Sequence, residues 1–193
     1  MNSLIIKILV IAFLLIRCLY PQNPDKQIYL SVSPMKALGS SDFENIWSSD
    51  IGILGEFRFE HPVGQLGVGL SLMKFDSYND ITLGFYGIDY YFLYRNYFEL
   101  FSDFSLMAGF DFGIYEFRFE DADLFENPAG QIEREFALKL VSGIDFKIYN
   151  TWSAELGLGY SYIYTRKKIE LLSFRIGLVK SFTAPAWLSE FFE

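Results

Sequence analysis

From residue 27 onward the chain alternates. In "SDFSLMAGFDFGIYEF", residues 102 to 117, Phe104, Leu106, Phe110, Phe112 and Ile114 occupy one register of two, while Asp103, Ser105, Gly109, Asp111 and Gly113 occupy the other. A period of two is the signature of a β-strand, whose successive side chains leave on opposite faces. Followed along the chain, it predicts eight strands, over residues 27–37, 49–60, 64–75, 80–94, 97–117, 131–148, 151–165 and 168–182.

The links between these strands alternate in character. "HPVG", "YRNY" and "IYNTW" are tight links after the second, fourth and sixth strands, whereas "GSSDFENIWSS" and "EDADLFENPAGQ" are long polar links after the first and fifth. "DSYND" and "TRKK" are short but fall on the side of the long ones. In an up-and-down meander this places short turns at one end and longer loops at the other, the arrangement of an outer-membrane barrel. One helix is predicted, in the tail "TAPAWLSEFFE", where Pro185 suits a first turn and Trp187, Leu188, Phe191 and Phe192 cluster on one side. So short a helix needs a membrane surface or the barrel rim to form.

Alternation does not say which face is inside, because a soluble lipocalin-type barrel alternates as well. The polar face decides. It carries Gly67, Gly69, Gly109, Gly113, Gly143, Gly157, Gly159 and Gly177, interspersed with Glu56, Arg58, Glu99, Asp103, Asp111, Glu135, Lys139, Asp145, Lys147, Glu155 and Arg175. Glycine weakens a water-facing strand. Inside a narrow barrel it makes room for long, mutually neutralising charged side chains, so these residues are predicted to form a lumen charge network. The opposite face is Leu, Val, Ile and Phe over lengths that suit a tilted membrane strand. "YRNYF", "IYNTW" and "YSYIY" then supply aromatic girdles.

The N-terminus supports export. Lys7 precedes an apolar run from Ile8 to Ile16, too short to span a bilayer, and Pro21 with "QNPDKQ" follows abruptly. Residues 1–20 therefore read as a signal peptide, 21–182 as the barrel and 183–193 as a periplasmic amphipathic tail. Cys18 is the only cysteine, and Arg17 before it departs from a lipoprotein signal. Without it the mature chain has no disulfide, thiol nucleophile or thiolate metal site. The formal charge is −8, and losing Lys7 and Arg17 with the signal takes it to −10. Such a chain repels phosphate backbones, and no nucleic acid partner is expected.

Residues 27 to 182 resemble the small eight-stranded outer-membrane barrels of the OmpA-transmembrane, OmpX and OmpW type, with "LGVGLSL", "LGLGYSYIY" and "LSFRIGLVKSF" carrying the likeness. The last is similar to the assembly signal of a final strand, with Gly177 and Phe182 in register, although Lys180 stands where an aromatic is usual and further residues follow. The resemblance implies an all-β, antiparallel up-and-down transmembrane barrel in a bacterial outer membrane, with lipid around it.

Catalytic chemistry finds little footing. Some barrels of this kind place a His and Ser pair near the outer rim, but His61 is the only histidine and falls in the tight link "EHPVG". Glu133 and Glu135, or Asp103 and Asp111, could pair as carboxylates, and interior salt bridges with Arg58, Lys139, Lys147 and Arg175 explain the same residues. "EDADLFE" lacks the glycine and distant Glu of a calcium loop, and neither "GVG" nor "GLG" precedes a helix that could cradle phosphate. No cofactor or metal is expected.

The sequence thus predicts a non-enzymatic scaffold that presents loops near 38–49 and 118–131 to a protein partner, with Phe43, Trp47 and Phe125 as contacts. Trp187, Leu188, Phe191 and Phe192 would dock on the inner leaflet or a periplasmic partner. Two alternatives stay open: a narrow channel or small-ligand transporter, and a soluble periplasmic lipocalin-like binding barrel with the faces inverted. Lateral passage of an apolar ligand would need an apolar lumen toward the outer side, whereas this lumen reads as charged.

Overall fold

The structure, a computed structural model, describes residues 27–78, 82–120, 132–166 and 168–185. Its strands are β1 (Gln27–Gly39), β2 (Trp47–Ser49), β3 (Gly52–His61), β4 (Gly64–Ser77), β5 (Phe85–Phe101), β6 (Phe104–Phe119), β7 (Ile132–Tyr149), β8 (Trp152–Ile163) and β9 (Ile169–Thr183). All pair antiparallel. β1 lies between β3 and β9, the order continues through β8, β7, β6 and β5, and the β4–β5 pairing closes the ring. The result is an eight-stranded barrel, with β2 a short extra rung on the tip of β4.

Three hairpins at one end close through two residues each, at 62–63, 102–103 and 150–151. Asn150 takes the left-handed conformation, with φ 39°, that such tight turns require and that asparagine tolerates. Gln27 and Thr183, the two ends of the strand set, pair at this same hairpin end. The longer connections gather at the other, the loop end. There a single helical turn, Ser41–Glu44, and β2 sit between β1 and β3.

One turn lies elsewhere than the pattern predicted. "YRNY" does not bend; β5 runs through it to Phe101, and the reversal falls at Ser102 and Asp103. Tyr94, Arg95 and Tyr97 continue the alternation, whereas Ser and Asp are turn formers. The C-terminal helix predicted after Pro185 lies outside the described residues.

The outward face is apolar and open: Leu70 is 48 % exposed, Phe92 59 % and Ile176 63 %. Cross-strand aromatic pairs such as Phe92 with Phe112, 5.7 Å between centroids, pave it. The opposite face is buried in the lumen. Its glycines do two kinds of work. A Cβ at Gly113 would overlap the Tyr90 carbonyl oxygen on β5, so close backbone approach requires glycine there. At Gly157 a Cβ would meet the Arg175 stem, 2.8 Å from Cγ. Glycine on β8 thus gives the long β9 side chain its room.

Candidate functional site

The lumen has two storeys. Midway along the barrel, eight charged residues form one chain of alternating sign. Arg58 donates through Nη1 to Glu155 Oε2 at 2.9 Å, and Arg175 Nη2 reaches Glu155 Oε1 at 2.6 Å. Arg175 Nη1 and Arg95 Nη2 both donate to Glu56 Oε1, at 2.7 and 2.9 Å. Arg95 also pairs with Asp111, whose other oxygen lies 3.8 Å from Lys139 Nζ, and Lys139 ends the chain on Asp89 at 2.7 Å. Four cations meet four anions, so the chain is neutral as a whole.

Strands from all round the barrel supply it: β3 brings Glu56 and Arg58, β5 brings Asp89 and Arg95, and β6 to β9 bring one residue each. Every member is buried; Arg95 is fully enclosed and Arg58 and Asp111 are 1 % exposed. Tyr91 donates to Glu56 Oε1 at 3.2 Å, Tyr97 to Glu155 Oε2 at 3.1 Å, and Lys139 Nζ sits 4.4 Å above the Tyr91 ring. Desolvating so many charges is costly, and only their mutual pairing makes the arrangement tolerable. It is a plug.

Six residues predicted for this network are in it: Glu56, Arg58, Asp111, Lys139, Glu155 and Arg175. The other five are elsewhere. Asp103 is in the exposed hairpin turn, and Glu99 and Lys147 are exposed near the same end. Asp145 is half-buried and accepts the Ser153 hydroxyl at 2.6 Å. Glu135 stands at the loop end. Arg95, Asp89, Tyr91 and Tyr97 were missed, although one unbroken register of two from Asp89 to Glu99 would have placed them all on the lumen face.

Above the plug the lumen is apolar, which corrects the expectation that it is charged throughout. Met35, Leu54, Met73, Phe75, Phe85, Tyr115, Phe117 and Ile163 belong to one buried cluster. Phe43, from the helical turn, inserts among them with its ring 5.5 Å from Phe75 and 5.1 Å from Trp47. Trp47 Nε1 donates to the Leu83 carbonyl at 2.9 Å. Phe43 and Trp47, expected as surface contacts, are therefore parts of the mouth; burial among aromatics outweighs exposure for rings this large. Phe125 and the tail residues Trp187, Leu188, Phe191 and Phe192 lie outside the described residues.

Between this cluster and the outside is a cavity of about 540 Å³. Phe43, Trp47, Phe85, Phe117, Phe119 and Ile169 give it apolar walls, and Glu133, Glu135, Thr165 and Arg166 give it a polar side. Among the described residues no group of His, Cys, Asp and Glu could hold a metal ion. His61, in its hairpin turn, is at the far end of the barrel from this cavity.

The outward face changes character at the same height. On β6 the apolar run ends at Ile114, and Glu116, Arg118 and Glu120 follow in the outward register. Glu116 accepts from Arg118 and, at 2.7 Å, from Arg134 of β7, while Lys74 of β4 pairs with Asp76 at 2.7 Å and Glu120 at 3.3 Å. These pairs form a charged belt above the apolar band.

No protein-family model matches the sequence, and no characterised protein matches it at the sequence level. Solved structures do match the fold. Neisserial surface protein A aligns with a TM-score of 0.59 over 81 % of this chain and 97 % of its own, at 13 % identity. The outer-membrane protein AlkL, solved in lipid bilayers, aligns with a TM-score of 0.52 over 86 % of this chain and 97 % of its own, also at 13 % identity. The chain has the fold of the small eight-stranded outer-membrane β-barrels.

Proposed function

We propose that this chain is a non-enzymatic integral protein of the bacterial outer membrane, a closed barrel that displays its loop end to the medium as a surface for a protein partner. The observation that carries the reading is the inverted distribution of polarity. A continuous apolar surface faces outward while eight charges are buried inside, an arrangement that hydrocarbon stabilises and water does not. The likeness in fold to a surface protein and to AlkL, an outer-membrane protein solved in lipid bilayers, supports that location. The apolar outer surface speaks against a soluble binding barrel, and the neutral plug across the lumen against a conducting channel.

Expression of the full chain in a diderm bacterium, followed by envelope fractionation and gels of boiled and unboiled protein, tests this. Outer-membrane recovery with heat-modifiable migration and no discrete conductance in planar bilayers is the expected result. Release by osmotic shock without detergent overturns the location, and steady conductance through the wild-type barrel overturns the closed lumen.

A further inference from the structure

The cavity at the loop end is a dead-end cup. Its floor is the stacked pair Phe75 and Phe85, 4.7 Å between ring centroids and each under 3 % exposed, and below that lies the ion-paired plug. Nothing entering the cup continues through the barrel, so what the shape offers is binding and not passage. A volume of about 540 Å³ is that of a small organic ligand's pocket.

The lining specifies the ligand's chemistry. Phe43, Trp47, Phe85 and Phe117 present ring faces and edges to one space, with Trp47 and Phe85 5.6 Å apart at 82° and Phe85 and Phe117 5.3 Å apart. Next to Phe117, whose Cα partner on β7 is Glu133, the cavity takes in Glu133 and Glu135, two apart and therefore on the same lumen face. Neither takes part in the ion pairs formed among the described residues; the outward residue between them, Arg134, is committed to Glu116. Beside them the buried Thr165 hydroxyl finds no hydrogen-bond partner among the described residues. Among the described lining residues Arg166 is the one cation, against two carboxylates, so that part of the lining is net negative.

Aromatic walls attract a cation through the ring quadrupole, unpaired carboxylates attract it by charge, and a free hydroxyl accepts an ammonium N–H. We infer that the cup is a binding site for a primary organic ammonium with an aromatic or short apolar body, the ring seated among Phe43, Trp47, Phe85 and Phe117 and the ammonium facing Glu133, Glu135 and Thr165. The inference rests on the barrel reading only in that the loop end is open to the medium. A purely apolar guest would leave both glutamates idle, and an anion would be repelled by them.

The test is calorimetric titration of the full barrel in lipid nanodiscs at neutral pH, with three probes of one size: 2-phenylethylammonium, 2-phenylethanol and 3-phenylpropionate. The ammonium is expected to bind saturably and at least about tenfold more tightly than the alcohol, with no binding of the carboxylate. The double variant Glu133→Gln, Glu135→Gln should bring the ammonium down to the alcohol's affinity and leave the alcohol unchanged, while Arg166→Gln should tighten the ammonium about threefold. Equal binding of ammonium and alcohol, an unaltered double variant, or no saturable binding up to about 10 mM each overturns the assignment. Heat-modifiable migration of the same nanodisc sample shows whether the barrel itself is intact, so a failed cup and a failed barrel give different results.

Discussion

Glu56 is the residue on which the plug turns. Its Oε1 accepts from Arg95, Arg175 and Tyr91 at 2.9, 2.7 and 3.2 Å, and its Oε2 lies 3.9 Å from Arg58 Nε. Glu56→Gln keeps the shape and one acceptor oxygen but changes the enclosed chain from neutral to a net positive charge. It also turns an amide N–H₂ toward Arg58 or toward the Arg95 and Arg175 pair, donor against donor. Charge-assisted hydrogen bonds contribute about 1.5–3 kcal/mol each, and removing one partner of a buried ion pair typically costs about 3–5 kcal/mol. Because glutamine retains some acceptance, the lower end, about 3 kcal/mol, is expected. The readout is urea unfolding of the barrel in lipid vesicles, followed by tryptophan fluorescence and by unboiled gel migration.

A second variant isolates the electrostatic cause. Glu56→Gln with Arg175→Gln restores neutrality and leaves Arg95 on Asp111 and Arg58 on Glu155. The double variant should therefore lose less stability than the sum of its singles, by about 1–3 kcal/mol, the usual range for residues in one network. If Glu56→Gln falls within about 1 kcal/mol of wild type, or if the two changes add, the buried chain is not what holds the lumen together, and the reasoning fails.

Three further outcomes follow from the same geometry. Ile176→Arg, near the middle of β9 and 63 % exposed on the outward face, should cost about 2–4 kcal/mol in a bilayer, whereas on a water-facing sheet the change would be nearly neutral; urea titration in vesicles distinguishes the two. Gly157→Val places atoms on the Arg175 stem and should cost about 1–3 kcal/mol through overpacking, read as a lowered urea midpoint. Phe43→Ala removes the ring that ties the helical turn into the mouth, so Trp47 emission should shift red and Glu-C cleavage after Glu44 should quicken while the strands keep their heat-modifiable migration.

Strand existence and facing were legible in the sequence because the period of two survives from element to element. The outward residues Leu70, Phe112, Leu156 and Ile176 and the inward Glu56, Lys139 and Arg175 are all placed by parity alone. The turn in "YRNY" was misplaced because a run of Tyr looks like the end of a strand when aromatic girdles are expected there. It also hid Arg95, which links Glu56 to Asp111. Partners across the lumen were illegible for a different reason: Arg58 meets Glu155 97 positions away, and the height at which each side chain sits depends on strand stagger. The aromatic mouth was hidden by composition, since inward Phe117 and outward Phe112 look alike in a sequence.

The exchange of faces along "GIYEFRFE" ties these features together. Up to Ile114 the outward residues are apolar and the inward ones, Met107 apart, small or charged; from Tyr115 the inward residues are Tyr115, Phe117 and Phe119, and the outward ones are Glu116, Arg118 and Glu120. A strand leaving hydrocarbon loses the reason to be apolar outside, and its outward side chains can meet water and headgroups as ion pairs. Inside, the requirement reverses. A mouth open to water would hydrate a charged lumen and loosen its pairing, since screening and high dielectric weaken every contact in the chain. Aromatic residues above the plug keep that water out, and they are packed from the barrel wall and from Phe43 of the first connection together. On the neighbouring strands the switch falls at matching rungs, with Glu116 opposite Arg134 and Lys74 opposite Tyr86, itself opposite Arg118. The boundary thus runs across the adjoining strands β4 to β7, where Lys74, Tyr86 and Arg118 stand beside the inward Phe75, Phe85 and Phe117 of the cup's floor and wall.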